Sequence, residues 1–286
     1  MFKSLKRKST GEKILYICVS ILFALVAFSY LYILLWMIMS ALKTHNEIVM
    51  NPFALPKEWH WEHFIETFSM LEVGGVGFFG MLFNSLWFSV FPVIIEQFTT
   101  VTFAYTCSKY KFPTCKLPYI ITMIMITLPI YGAGGAAYRL NYALGLTNNY
   151  LAAFASIGGF GLHFLYYQAF FKNLSWTYAE AAQIDGANDF QTYFRVMLPQ
   201  AKPLVSALAI TSWIGCWNSF DKQMIYQPQI PTLPLGIYQF NTEMMYRARL
   251  DILFAGCFFT SIPVILLFIF FNKVITTNVS LGGIKG

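Results

Sequence analysis

The sequence predicts an all-α integral membrane protein of six helices, with both ends of the chain on the inner side of the membrane. Three observations lead there. Hydrophobic residues make up 57% of the chain and charged residues 11%, at a mean hydropathy of +0.56, whereas a soluble domain carries about 25% charged residues. Six apolar runs are long enough to cross a bilayer, which takes roughly 20 residues each. With the N-terminus inside, thirteen of the nineteen Lys and Arg fall in segments on the inner side, the asymmetry that orients membrane helices. The connections left over are too short for a further folded domain, so a fused nucleotide-hydrolysing or sugar-binding domain is excluded.

Residues 1–13 read as a cytoplasmic N-terminus carrying Lys3, Lys6, Arg7, Lys8 and Lys13. The run behind them, residues 14–42, is far longer than a signal-peptide core and shows no convincing small-residue cleavage site, so it reads as an uncleaved first span. The loop that follows, residues 43–77, holds Trp59, Trp61 and several phenylalanines suited to the headgroup level. Its Glu47, Glu58, Glu62, Glu66 and Glu72 are expected to face water or a partner. The remaining spans are expected at 78–105, 117–137, 151–171, 204–220 and 252–275. Pro92, Pro129 and Pro263 mark kinks. Gly132, Gly134, Gly135, Gly158, Gly159 and Gly161 let helices pack closely. In the external segment 221–250, Pro228, Pro231 and Pro234 favour an extended loop. With no internal repeat and no linker, residues 14–286 read as a single transmembrane domain.

The net charge of +6 arises without a basic, aromatic-interleaved stripe, so no nucleic-acid partner is expected. The five cysteines form no CxxC pair and imply neither a disulfide framework nor a zinc site. His60 and His63 make an HxxH without an evident third ligand, and no metal site is assigned. Nucleotide-binding P-loop, GxSxG and HExxH patterns are all missing, so no catalytic residue and no cofactor is expected on the chain.

The inner segment 172–203 is where the pattern is most specific. A connector needs only a few residues, yet this one reads helix, break, helix. Ala179 to Ile184 are helix formers, and Asp185, Gly186, Ala187 and Asn188 supply turn residues. Phe190, Phe194 and Met197 then follow at helical spacing, with Pro199 expected to end the second helix. Ala181 and Ala182 are small enough to admit close approach of another protein. An amphipathic helix lying on the inner leaflet is the bland alternative, but it explains neither Glu180-Ala181-Ala182 nor the placement of Gly186.

Glu180-Ala181-Ala182, Gly186 and Val196-Met197-Leu198-Pro199 resemble the EAA signature of binding-protein-dependent ABC transporter permeases. The extended form is similar to the carbohydrate-uptake branch, in particular the maltose-type second permease subunit. Ser40-Ala41-Leu42-Lys43, Asn84-Ser85, Leu128-Pro129-Ile130-Tyr131, Trp217-Asn218-Ser219-Phe220 and the terminal Gly282-Gly283-Ile284-Lys285-Gly286 extend the resemblance over most of the chain. It implies a type I ABC importer transmembrane domain in a prokaryotic cell membrane. A cytoplasmic ATPase dimer would bind ATP and Mg, a second homologous permease would complete the channel, and an external binding protein would deliver a sugar or oligosaccharide. In that role Glu180, Ala181, Ala182, Asp185, Gly186, Ala187, Phe190, Leu198 and Pro199 would couple the spans to the ATPase, and Lys285 in the tail would make a second contact.

Within the spans Glu96 is a carboxylate at membrane depth with Gln97 beside it, a functional-site hypothesis by default. The structural alternative is a helix-to-helix hydrogen bond. As a proton or ion relay it would support a different reading, a secondary transporter or channel. Sugars are bound through aromatic faces and amide or hydroxyl groups. Tyr131, Tyr166, Tyr167, Trp213, Trp217 and Asn218 are candidates for the substrate pathway, Trp217-Asn218 foremost, although packing is the commoner role of each.

Overall fold

The computed structural model describes residues 10–128, 134–247 and 249–279. They are mostly helix, and three of the helices are long and apolar enough to cross a membrane: Gly11–Ala41, Phe78–Lys109 and Leu250–Phe271. The chain divides into two compact units, one taking in the chain up to Leu71 with Gln239–Ile262, the other Glu72–Tyr238 with the chain from Pro263 onward.

In the first unit α1 (Thr10–Ala41) is apolar on every side and exposed along its membrane-length window. A helix with no polar face needs an apolar surrounding. The helix ends in a tight knot where Ser40, Ala41, Leu42 and Lys43 are all buried. Burying the Lys43 ammonium requires partners; its Nζ donates to Asn51 O at 3.1 Å and Pro52 O at 3.2 Å. Two short helices follow, α2 (His45–Met50) and α3 (Glu62–Met70). Thr44 caps α2 by accepting from Glu47 N. Glu66 does not simply face water: Arg249 donates to it at 3.2 and 2.7 Å and to Asp251 at 3.3 and 3.0 Å. Asp251 Oδ2 also lies 3.4 Å from His63 Nε2.

The second unit opens with an antiparallel pair, β1 (Glu72–Val73) and β2 (Val76–Gly77), in register Glu72↔Gly77. Gly74 and Gly75 at the turn have φ of +59° and +81°, the left-handed pair a two-residue hairpin requires. From there α4 (Phe78–Lys109) runs as the central pillar, packed against α7 (Leu162–Asn173) and α10 (Leu198–Asn218). Between them lies a core of Val101, Ala104, Tyr105, Phe164, Tyr167 and Phe171, continued by Tyr193 and Met197.

Four expectations change here. The run expected as one span over 117–137 is α5 (Leu117–Thr127), which stops short of Leu128, and α6 (Gly134–Ala143). Leu128 is extended (φ −100°, ψ 102°), as the residue before a proline prefers to be; Pro129 and Gly132 lie outside the described residues. The run over 151–171 is a 3-10 turn at Tyr150–Ala155, a non-helical stretch and then α7. Gly158 explains the break, since a Cβ there would meet Thr100 Oγ1 at 2.1 Å and Glu96 O at 2.7 Å. Its N–H donates to Thr99 Oγ1 at 2.9 Å, and irregular backbone within a membrane is tolerated where protein covers it in this way.

Pro199 does not end a helix. Helical structure runs on from α9 (Asp189–Gln191) through a π turn at Thr192–Met197 into α10, where Pro199 takes one of the first two positions. Proline removes one N–H from this continuous helix, and the wide turn, in which Leu198 N–H reaches back to Tyr193 O, falls immediately before it. The external segment is likewise helical: α11 (Asp221–Tyr226) and α12 (Leu233–Arg247) replace the expected extended loop, with Pro234 in the first turn of α12. The chain closes in α13 (Leu250–Val279), which contains Pro263.

Candidate functional site

The segment between α7 and α10 folds as a hairpin whose turn is fixed by two motifs in succession. Its first arm is α8 (Thr177–Ile184). Gly186 has φ +85°; its N–H donates to Gln183 O at 3.0 Å and that of Ala187 to Ala182 O at 2.9 Å. That pair of bonds is a Schellman stop, which needs a left-handed residue where Gly186 stands. Asn188 then starts the second arm with a capping box. Its Oδ1 accepts from Gln191 N at 2.9 Å, and Gln191 Oε1 accepts from Asn188 N at 3.1 Å. The Asn-x-x-Gln spacing was there to be read, and it is the one part of the turn that the sequence reading missed.

The arms sit on the core through a few inward side chains. Ala179 and Ala182, three apart on α8, face inward and are buried; Ala179 joins the core cluster with Tyr193 and Met197. Ala182 packs inward while also lining the groove beside the hairpin, and the outward face is formed by Glu180, Ala181, Gln183 and Ile184. Phe190, Phe194 and Met197 form the expected stripe. It grades from Phe190, 71% exposed, to Met197, fully buried, with the Phe190 and Phe194 rings 4.4 Å apart. Leu198 and Pro199 are half-buried at the start of α10. At the hairpin's foot Lys109 Nζ donates to Leu174 O at 2.5 Å, satisfying a carbonyl left over at the end of α7.

What remains exposed is a compact crown. Ile184 is 86% exposed, with Asp185 and Gly186 beside it, and the Glu180 carboxylate makes no hydrogen bond or ion pair among the described residues. Alongside runs a groove of about 570 Å³ lined by Ser175, Thr177, Tyr178, Ala181, Ala182, Asp185 and Val196. Two bare apolar side chains, Ile184 and Phe190, thus stand beside an unpaired carboxylate on a turn that Gly186 fixes.

Glu96 is paired. Its Oε1 lies 3.2 Å from His163 Nδ1 on α7, a hydrogen bond that holds with Nδ1 protonated because a carboxylate only accepts. Gln97 Nε2 lies 3.2 Å from the same nitrogen and 3.1 Å from Ser212 Oγ on α10, and Tyr167 OH donates to Gln97 Oε1. The cluster ties α4, α7 and α10 together, and the sequence reading missed His163 in it.

Of the aromatic candidates, Trp213 and Trp217 stack with centroids 5.1 Å apart and Trp217 is buried. Asn218 is exposed and donates to Ile214 O at 2.9 Å. Tyr166 is exposed and Tyr167 buried. Tyr131 and Lys285 lie outside the described residues. The HxxH does have a third neighbour, Glu62, whose carboxylate is 2.7 Å from His60 Nδ1. His63 is engaged through Nδ1 with Ala41 O at 2.9 Å and faces Asp251 through Nε2.

Residues 114–281, which contain the whole hairpin, match the family described as binding-protein-dependent transport system inner membrane component. Among individual proteins, the chain is 29% identical over 261 residues to the diacetylchitobiose uptake system permease protein of Streptomyces coelicolor, covering 87% of this chain and 82% of that one. It is 27% identical to the arabinooligosaccharides transport system permease protein of Halalkalibacterium halodurans, over 99% of this chain and 100% of that one. To the maltodextrin transport system permease protein of Bacillus subtilis it is 25% identical, over 97% and 99%. The fold resembles a chain in the crystal structure of a bacterial ABC transporter involved in the import of the acidic polysaccharide alginate, with a TM-score of 0.75, 20% identity, and 93% and 98% of the two chains covered.

Proposed function

The chain belongs to the binding-protein-dependent transport system inner membrane components, and from that membership we propose that it is the membrane-spanning permease subunit of an ATP-driven importer of a sugar or oligosaccharide. The observation that carries the mechanism is the exposed crown of Glu180, Ile184 and Phe190, held on a turn whose geometry Gly186 fixes. Such a crown is built to enter a cleft on a cytoplasmic ATPase, and the ATP and Mg belong to that partner dimer. A related permease subunit completes the pathway, and an external binding protein delivers the solute over the face that carries 221–250. The apolar sequence runs fit six passes through a prokaryotic cell membrane with both termini inside, the break in the fourth run lying against α4 at Gly158.

A carbohydrate cargo is supported by the names of the relatives, three of which handle oligosaccharides. Tyr131, Trp213, Trp217, Asn218 and Glu96 are the residues proposed to border the pathway, and Lys285 to touch the ATPase pair. The relay reading of Glu96 has no support from the family, and its bond to His163 gives it a structural occupation. The test is affinity purification of the tagged chain from its native membrane with identification of what accompanies it. A P-loop ATPase and a second permease are expected. Glu180→Arg should leave the chain in the membrane while lowering ATP-driven uptake at least tenfold. Recovery of the chain alone, moving solute in liposomes without ATP, would refute the proposal.

A further inference from the structure

Separate from the hairpin, the second unit holds a cavity of about 250 Å³ between the first half of α4, the 3-10 turn, the end of α10 and α11. Phe88 and Pro92 give it an apolar wall; Ser156, Ser219, Lys222 and Gln223 give it a polar one. Two features of the polar wall stand out. The Lys222 ammonium, exposed where it lines the cavity, makes no hydrogen bond or ion pair among the described residues, while its backbone N–H donates to the neighbouring Asp221 carboxylate. Asp221 is otherwise engaged, accepting from Ser219 Oγ at 2.8 Å. Gln223 is more than nine-tenths buried, and its Oε1 has no hydrogen-bond partner. Gln227, on the same wall, is satisfied at both ends by Asn149 N and Leu146 O, each at 2.7 Å. A buried amide oxygen without a donor costs free energy that a ligand hydroxyl recovers.

We propose that this cavity is a solute subsite for a sugar ring bearing a negative charge, with Lys222 as the charge partner and Gln223 Oε1 accepting a ring hydroxyl. The inference rests on the reading of the chain as an import permease and narrows its cargo. A flat apolar wall faces the C–H surface of a sugar, and hydroxyl and amide groups read its hydroxyls. A neutral sugar offers the exposed Lys222 ammonium only hydroxyl acceptors, whereas an anionic group adds a charge-assisted hydrogen bond, roughly twice as strong. A carboxylate or a phosphate on the ring supplies that bond, and about 250 Å³ seats one such ring, the rest of a longer sugar extending beyond the cavity.

The experiment uses the assembly purified from native membrane into nanodiscs, without ATP and without the binding protein. Equilibrium binding is measured by calorimetry for three probes: α-1,4-digalacturonate, neutral α-1,4-galactobiose and glucose 6-phosphate. At least one anionic probe should bind about tenfold or more tighter than galactobiose, and which one does so identifies the anion as carboxylate or phosphate. Lys222→Gln should abolish the difference and Lys222→Arg preserve it. Gln223→Leu should weaken charged and neutral probes by the same factor. Equal binding of all three probes, or a preference that survives Lys222→Gln, overturns the subsite. ATP hydrolysis by the same sample separates the two readings: a preparation that contains and runs its ATPase but shows no charge preference refutes only the subsite, and one without an ATPase refutes the permease.

Discussion

Gly186 offers the sharpest check on how the docking hairpin is built. A Cβ added there would meet no atom within 4 Å, yet its φ is +85°. Substitution is therefore resisted by backbone conformation alone, with no packing to confuse the outcome. An L-residue with a Cβ loses roughly 1–2 kcal/mol in the left-handed region, a β-branched residue more, while asparagine tolerates it better. Stability of the turn is expected to fall in the order Gly, Asn, Ala, Val. The Ala187 amide, bonded to Ala182 O at 2.9 Å, reports on the turn directly through hydrogen exchange. Gly186→Ala should reduce its protection about 5- to 30-fold, and Gly186→Val should reduce it further. The core amides around Met197 and Phe171 should not change. Coupling of ATP hydrolysis to uptake should decline in the same order. If Ala and Asn behave alike, or if Val exchanges as slowly as glycine, the turn is not set by a left-handed residue and the reasoning fails.

Two further outcomes follow from the packing. Gly158→Ala places a methyl 2.7 Å from the Glu96 backbone oxygen, which cannot rotate away, so the solubilised chain should lose about 1–3 kcal/mol; a thiol-reactive dye reporting on buried Cys107 would follow the melt, and an unchanged midpoint would contradict the close approach. Hydrogen bonds from Arg249 hold the Glu66 carboxyl below its ordinary range. Its contribution is therefore complete above the ordinary glutamate pKa and is lost as pH falls through the lowered one. Because the pair is part-exposed the effect should be under about 1 kcal/mol, seen as a steeper acid loss of thermal stability than in Glu66→Gln; parallel curves would refute it.

The parts of the site that the sequence made legible are those set within a few residues. Asp185-Gly186 announces a reversal because one residue type alone takes that conformation cheaply, and the Phe190, Phe194, Met197 stripe follows from helical spacing. Pro199 misled because a proline reads the same at the start of a helix as after its end; the preceding π turn, which decides the matter, has no residue signature. The break in the run over 151–171 was hidden for a different reason. Its apolar composition suits both a span and a covered irregular stretch, and Gly158 becomes decisive only once α4 is beside it. The same holds for His163, which looks like any histidine until Glu96 and Gln97, far away in sequence, arrive at 3.2 Å. A carboxylate within a span is visible in the sequence, whereas the base that meets it is set by which helices pack together.

One helix passes all the places that matter in the second unit. Along α4, Phe88 and Pro92 wall the cavity, Glu96 and Gln97 hold α7 and α10, and Thr102 and Tyr105 meet the hairpin's root. That last contact is made by Tyr193, buried in the π turn, with its OH 2.8 Å from Thr102 Oγ1 and its ring 4.7 Å from that of Tyr105. Close-packed interiors pass on displacement instead of absorbing it, so a load on Ile184 and Phe190 is expected to reach α4 through Tyr193. Tyr193→Phe keeps the ring and loses about 1 kcal/mol of hydrogen bonding; coupling should persist. Tyr193→Ala removes the ring at a cost of about 3–5 kcal/mol, leaving the exposed crown itself untouched. That variant should still retain its ATPase on purification while ATP hydrolysis no longer drives uptake. Full coupling in Tyr193→Ala would show that the load travels by another route, and loss of the ATPase would show that the crown cannot hold its shape without the root.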